Sequence, residues 1–596
     1  MLQKIKSFFI KRTMWVFLFV LAGISTGFML DKMKGEGWRV AVYMDGRGYY
    51  AQLPAFFIYN DPSCSFYVSQ SAVTPDEANF LNKIDDKPVN KYFSGVAFLQ
   101  SPFFGIGHLI AKNFGFEPGG YSKPYFYCFA IGALFYFLLG MFFTWKLLET
   151  FQFRKGVVLI ICICFAFGTN LFHYALFEPS MSHVYSFAAV AGFLYFIRRF
   201  FLSPSRKNIL FAAAALGVVA ILRPVNLVVV LAFPAMAGEW ENVKEGFRWM
   251  GKNLFSTGAG LLVFLLVCFV QLYIYHWQTG HFFVWAYQDE GFDFSNPHFY
   301  GTLFSYEKGL FIYTPMIFFA LPGFFAMARR SRFIAFSLLP VFIIIAWIVS
   351  SWHQWQYGFS FGLRAYVDYY SLAALPMAFL VNAAWTKKII LVPVSVIGML
   401  LVCFYGIQQY QYVHRIIHGG AMNKDAYWLV FLKTDKKYFD TINNVSHAME
   451  SDGDFNDMEG EVEWPGLETI SEGTAYSGKH ASRIDSTYIY SCGFVRIMSD
   501  NPIFSHQSRL IVSAYVLRDN APDSAELVVS QVKEDKLFYA TFHPLPLVQQ
   551  PGAWQKVSYE VVIPPYYEEG TVLKVFFKSI SGIVFIDDFS VMIKGR

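Results

Sequence analysis

Residues 208–237 read NILFAAAALGVVAILRPVNLVVVLAFPAMA, an apolar run interrupted only by Arg223-Pro224 and Asn226. It is either one long helix or two short ones, and the choice sets the topology of everything after it. The charge of the flanking loops decides. With two segments, Arg154/Lys155, Arg198/Arg199/Arg206/Lys207, Lys244/Arg248/Lys252, Arg329/Arg330/Arg332 and Lys387/Lys388 all fall on one side. With one segment the last three of these loops flip to the other side and the positive-inside bias is broken. Two segments are therefore expected, forming a broken hairpin at Arg223. Such a break is tolerated where it lines a polar cavity.

Working outward from that hairpin, apolar segments lie at about 14–30, 124–147, 156–172, 182–200, 208–222, 225–237, 254–276, 309–327, 333–350, 366–384 and 388–408, each of a length and polarity suited to a span or half-span. The reading is a polytopic α-helical membrane protein of about eleven spans. The basic start MLQKIKSFFIKR, with no small-residue cleavage site after Leu30, places the N-terminus in the cytoplasm and the C-terminus outside. The composition agrees. Of 596 residues, 55% are hydrophobic and 15% charged, against about 25% charge in soluble chains. That excludes a cytosolic enzyme, a disordered chain and a disulfide framework.

Residues 411–450 carry Tyr, Trp and Lys in the manner of interfacial helices. From 451 to 596 the pattern turns polar and alternating. In TVLKVFFKS, Leu573, Val575 and Phe577 share one face; in WQKVSYEVVI, Val557, Tyr559, Val561 and Ile563 do. Several such runs between Gly, Pro, Asn and Asp clusters predict an all-β sandwich outside the membrane. Cys64 and Cys492 both fall outside and could pair, and no zinc-type spacing is present.

Polar residues are costly near a membrane, so they mark function. The inside loops are short and merely basic, whereas the outside loops are long and rich in acids, His and Tyr. The first outside loop opens with YMDGRGYYAQLP at 43–54, where Asp45-Gly46 reads either as a turn or as a placed carboxylate.

That segment, DGRGYYAQLPAFF, resembles the first outside loop of the C-superfamily (GT-C) glycosyltransferases. These use polyprenyl-phosphate-linked sugars and include the protein O-mannosyltransferases and the lipid A aminoarabinose transferase. Further pieces agree in order: SGVAFLQSPFFGIGHLIA at 94–111, GTNLFHYALFEPSMSHVYSFA at 168–188, LRPVN at 222–226, KGLFIYTP at 308–315 and WQYGFSFGLRAY at 355–366. The likeness covers roughly residues 10–410. It implies that Asp45 is the catalytic carboxylate, although the mannosyltransferases carry Asp-Glu where this chain has Asp-Gly. It also implies an arginine near the lipid phosphate, here Arg364.

Sugar transfer from a lipid phosphate needs a base for the acceptor hydroxyl and cations for a leaving group that is already a stable anion. A carboxylate pair, as in most glycosidases, is not required. Asp45 is the candidate base. Arg364 is the first phosphate candidate, with a topology-setting arginine as the alternative. Arg223 and Lys308 follow, and for Arg223 a structural ion pair is the alternative. Tyr49, Tyr50, Glu178, His183, Trp355 and Tyr357 are candidates for contacting substrate or acceptor. Glu178 could also serve as a second acid or base, or be a solvated loop carboxylate; His183, His173 and His353 could simply be packing residues; Trp352 and Trp355 also fit an interfacial aromatic belt. Asp289, Glu290 and Asp293 read as solvated or as part of a loop over the acceptor. The scheme requires no metal or other cofactor.

The C-terminal segments AYSGKHASRI, RLIVSAYV, AWQKVSYEVVIPP and VFIDDFSVMI resemble carbohydrate-binding-module jelly rolls. In that pattern Glu459 and Asp588 would approach a structural calcium, which takes oxygen ligands. The implied function is an inverting glycosyltransferase. Its donor is a polyprenyl-phosphate sugar, its acceptor a glycan, lipid or protein, its surroundings membrane lipid, and nucleic acid plays no part. A transporter or flippase of lipid-linked sugars, or a sugar-binding membrane scaffold, are the alternatives. A transporter should show paired broken helices in both halves, and only one broken segment is evident.

Overall fold

A computed structural model describes residues 2–64, 66–67, 80–385, 387–439, 451–459, 464–500, 504, 508–518, 525–534, 536–546, 552–566 and 568–595. The chain divides into two units, Met1–Phe439 and Asp440–Arg596, each with its own core.

The first unit is helical. Among the described residues, six helices are long and apolar enough to cross a membrane: Arg12–Lys32, Lys123–Thr150, His183–Leu202, Leu254–Thr279, Arg332–Ser350 and Ile389–Val413. Lys155–Phe167 and Pro224–Ala237 are shorter apolar helices. Two other predicted segments become interrupted helices, Ala320–Arg330 after a 3₁₀ turn over Pro315–Phe319, and Tyr370–Trp385 after one over Arg364–Tyr369. The helices pack where side chains are small. A Cβ on Gly140 would lie 2.5 Å from the Phe187 ring, and one on Gly217 would lie 2.7 Å from Val267.

The hairpin read from the sequence is present. Helix Arg206–Leu222 stops at Arg223, which takes an extended conformation (φ −155°, ψ 103°), as the residue before a proline prefers. The chain resumes as a 3₁₀ helix over Pro224–Ala232 and a short helix over Phe233–Ala237. It has turned back on itself there. The Met236 carbonyl accepts a 2.7 Å hydrogen bond from Arg198, in the last turn of His183–Leu202, while Arg223 lies against His183 at the other end of that same helix.

The last long helix runs on to Val413 and is followed by the helix Lys424–Val430 and a 3₁₀ turn, Lys436–Tyr438. The rest of the expected interfacial stretch, 440–450, lies outside the described residues.

Among its described residues, the second unit holds two antiparallel sheets. One runs Gln555–Ile563, Ser508–Arg518, Val584–Gly595, His480–Ile484, Ile470–Glu472, with Ser451–Asn456 also paired to Val584–Gly595. The other runs Phe494–Ile497, Val572–Ser579, Ala525–Lys533, Lys536–Pro544. Alternation builds the sandwich. Leu510, Val512, Ala514, Val557, Val561 and Ile563 from one sheet share a buried core with Leu573, Val575 and Phe577 from the other, and Tyr559 packs at its margin. Cys64 is buried within the first unit and Cys492 within the second.

Candidate functional site

Asp45 is the first residue of the helix Asp45–Pro54. The glycines after it are there for close approach. A Cβ on Gly46 would fall 1.8 Å from Ser180 Oγ, and one on Gly48 would fall 2.3 Å from the Tyr92 ring. The Asp-Gly-Arg-Gly pattern thus lets this helix start flush against Ser180 and Tyr92.

Arg364 arrives from the other half of the unit. The segment before it, Tyr357-Gly-Phe-Ser-Phe-Gly, makes a tight left-handed loop with positive φ at Tyr357 (57°), Gly358 (67°) and Gly362 (59°). At Gly362 a Cβ would also meet Tyr313 at 2.8 Å, so only glycine fits both the angle and the space. The loop delivers Arg364 Nη2 to within 2.5 Å of Asp45 Oδ2. Among the described residues, Arg364 Nη1 meets only the Met181 thioether, at 3.3 Å, a weak acceptor. Asp45 keeps 31% of its side chain exposed, against 12% for Arg364, so the carboxylate still opens to solvent. Burial works to raise the Asp45 pKa, but the Arg364 guanidinium, the Tyr92 hydroxyl and Lys91 outweigh it and hold the carboxyl below its ordinary value.

Both residues line a cavity of about 510 Å³. Arg223, His183, Tyr49, Tyr357, Trp352 and Glu290 line it too, so eight of the residues singled out from sequence meet around one cavity. Tyr49 donates to Ser182 Oγ at 3.2 Å, and its ring lies 4.6 Å from that of Tyr92. The aromatic wall continues through Tyr287 to Trp352 (ring centroids 6.3 and 5.9 Å). His183 Nδ1 lies 2.8 Å from the buried carboxylate of Asp368, which also accepts from Asn226 Nδ2 (2.7 Å) and pairs with Arg223 Nε (3.7 Å). Arg223 therefore serves in an ion pair and faces the cavity as well.

Other candidates fall elsewhere. Tyr50 is fully buried, its hydroxyl bonded to the Gly120 carbonyl and its ring packed on Phe104, Phe126 and Phe129. It is a core residue, because the helix turns successive tyrosines to different faces. Lys308 does not line the cavity: its ammonium is enclosed by the oxygens of Ser360 and Gly419. Trp355 packs on Gly301 and His298 behind the wall, leaving Trp352 to face the cavity. Glu178 bonds His173 Nε2 (3.1 Å) and accepts from the Tyr412 hydroxyl (3.4 Å) outside the cavity lining; burial raises its pKa, but His173 and Arg364 more than offset this.

In the β unit, Glu459 accepts from the backbone N–H groups of Lys479 and His480 and faces His480 Nδ1 at 3.0 Å, while Asp588 accepts from the Ser477 hydroxyl at 2.8 Å. The N–H and O–H donors around these two carboxylates close the 477–480 turn. Among the described residues no group of three or more His, Cys, Asp or Glu is placed to hold a metal.

The sequence reading passed over Asp368, Asn226, Tyr92, Tyr287 and Lys91. Asp368 was hidden because LRAYVDYYS reads as the start of a span; an acid inside an apolar stretch was the available signal. Lys91 and Glu290 form a 2.8 Å pair in the cavity wall, with His353 3.9 Å from Glu290. Glu290, read from sequence as solvated or over the acceptor, is half-buried and ties the 277–308 segment to Lys91.

No protein-family model matches the chain, and no curated protein matches it by sequence. Solved structures do resemble it. ArnT from Cupriavidus metallidurans, bound to undecaprenyl phosphate, is 13% identical with a TM-score of 0.42 over 72% of this chain and 71% of that one. Arabinosyltransferase EmbB from Mycobacterium smegmatis is 11% identical with a TM-score of 0.38 over 96% of this chain and 64% of that one. The CBM22-1 xylan-binding domain of Paenibacillus barcinonensis Xyn10C is 17% identical with a TM-score of 0.18, over 24% of this chain and 97% of that domain.

Proposed function

We propose that the chain is an inverting glycosyltransferase. It moves a sugar from a polyprenyl-phosphate donor to a hydroxyl of an envelope glycan, lipid or protein. The observation that carries this reading is the Asp45–Arg364 pair in the wall of the 510 Å³ cavity, joined there by Arg223. The ordered sequence pieces resembling GT-C enzymes support it.

The acceptor oxygen attacks the anomeric carbon while its proton passes to the Asp45 carboxylate. The bond from that carbon to the phosphate oxygen breaks, and the phosphate leaves as an anion. Arg364, with Nη1 uncommitted to any strong acceptor, and Arg223 offset its charge. Asp45 is held anionic by Arg364, so it is ready to accept a proton at neutral pH. Arg364 in turn is held on Asp45 and need not be ordered when the donor arrives. Tyr49, Tyr92, Tyr287 and Trp352 offer faces for a sugar ring or the first isoprene units. In this reading the chain crosses the inner membrane eleven times with its N-terminus in the cytoplasm. The cavity and the β unit face outward. No metal takes part in the transfer, and a calcium on Glu459 and Asp588 has no role in it.

The test is release of polyprenyl phosphate and appearance of glycan, with purified protein in lipid nanodiscs and a short-chain polyprenyl-phosphate sugar. Asp45→Asn is expected to lower turnover by roughly 10²–10⁴-fold. Full activity of that variant overturns the base assignment. Movement of the lipid sugar across a vesicle membrane without release of polyprenyl phosphate would replace the reading by a transporter.

A further inference from the structure

Lys308 is a buried charge that the proposed reaction leaves unused. It is fully enclosed, and an ammonium in such a place must spend its protons well. Its Nζ donates to the Ser360 carbonyl at 2.7 Å, to Ser360 Oγ at 2.9 Å and to the Gly419 carbonyl. All three N–H donors are thereby used.

These bonds join three stretches of chain: the 305–309 turn, the 357–363 loop and the 418–420 turn. The same Gly419 carbonyl accepts from the Ser360 backbone N–H at 3.0 Å. Gly419 packs so closely that a Cβ there would meet the Phe359 ring at 2.6 Å. On the opposite side of the loop, Asn170 Nδ2 and the Tyr174 hydroxyl hold the Phe361 carbonyl at 3.2 and 3.1 Å. Ser360 is thus gripped from behind, four residues before Arg364. Tyr357, Gly358 and Arg364, at the two ends of the loop, face the cavity.

We infer that Lys308 is a positioning residue, whose ammonium clamps the 357–363 loop and so sets where Arg364 meets Asp45. A left-handed loop held open by two glycines has little intrinsic preference for this shape. Without the clamp, the buried Ser360 carbonyl would lose its ammonium donor, and the Gly419 carbonyl would keep only the Ser360 N–H. Burial, and next the Arg364 charge, push the Lys308 pKa down to about 7 against the pull of Glu307 and Glu178. The three donated bonds belong to the ammonium form, which burial disfavours and these bonds help to hold.

The inference deepens the reading of Arg364 as the group that meets the donor phosphate, and two measurements separate them. The first is amide hydrogen exchange of the full chain in nanodiscs, which needs no substrate. In Lys308→Met, exchange over 357–364 is expected to rise by at least about tenfold while the Lys123–Thr150 helix is unchanged. Ser360→Ala keeps the ammonium and removes one acceptor, so it should loosen the same segment by a smaller factor. The second is binding of a short-chain polyprenyl phosphate, expected to weaken about tenfold in Lys308→Met. In turnover the variant should raise KM for the donor and leave KM for the acceptor alone. Adding it to Arg364→Ala should cost little more, since the two would act through one contact. Unchanged exchange over 357–364 in folded Lys308→Met overturns the clamp. If that variant does not fold, unchanged exchange in Ser360→Ala does the same. Loosened exchange in a protein whose wild type binds no polyprenyl phosphate keeps the clamp and overturns the proposed function.

Discussion

Asp45 and Arg364 are 319 positions apart in the chain and 2.5 Å apart in space. Their chemistry was legible one at a time, as an acid after a first span and an arginine on the less basic side. Their pairing was not. It also sets a pH behaviour. The folded Asp45 pKa lies below its ordinary value of 3.8, so the pair contributes stability above about pH 4 and loses it as pH falls through the lower folded value. Asp45 is therefore expected to keep kcat/KM level from about pH 7 down to about pH 5, with its acid limb below pH 4. A pH–rate profile with a limb near pH 6 that shifts in Asp45→Glu would contradict this. Tyr49 and Tyr50 teach the same lesson in reverse. They are adjacent, identical in type and equally placed by the motif, yet one faces the cavity and the other the core. Only the rotation of the helix that carries them separates the two.

At the scale of elements, the break at Arg223-Pro224 was readable because proline and its preceding residue have backbone rules of their own. That the chain turns back there was readable from loop charge, which favoured two segments over one. The glycines of Asp-Gly-Arg-Gly read as turn residues, whereas in the structure they let a helix start touch Ser180 and Tyr92. Gly46→Ala forces a Cβ to within 1.8 Å of Ser180 Oγ. It is expected to cost about 1–3 kcal/mol of stability and to lower turnover by pushing Asp45 away from Arg364. Thermal unfolding and single-turnover assays check this, and Ser180→Gly in the same chain should recover part of both. Lys308 shows what motif reading misses. A lysine beside a glycine in an outside loop suggests phosphate, but its ammonium finds oxygens of two distant turns first.

At the scale of the whole molecule, each unit has its own buried core, and the β unit is stabilised by inward-facing residues of two sheets. Phe577, fully buried there against Phe589 at a ring distance of 5.2 Å, is expected to cost about 3–5 kcal/mol when replaced by Ala. Residues 440–596 expressed alone should melt cooperatively, and Phe577→Ala should lower that Tm; a non-cooperative melt of the wild-type segment would show that its core is not self-sufficient. What the sequence by itself determined is periodic or additive: apolar runs, loop charge, the proline break and the alternation of strands. These depend on a residue and its near neighbours, so one chain suffices to read them. What only the tertiary structure decided is convergence. Asp45, His183, Arg223 and Arg364 meet with Asp368 and Tyr92, while Tyr50, Lys308, Glu178 and Trp355 are turned elsewhere. That choice depends on helix rotation, loop handedness and close packing between segments hundreds of residues apart, none of which has a local signature.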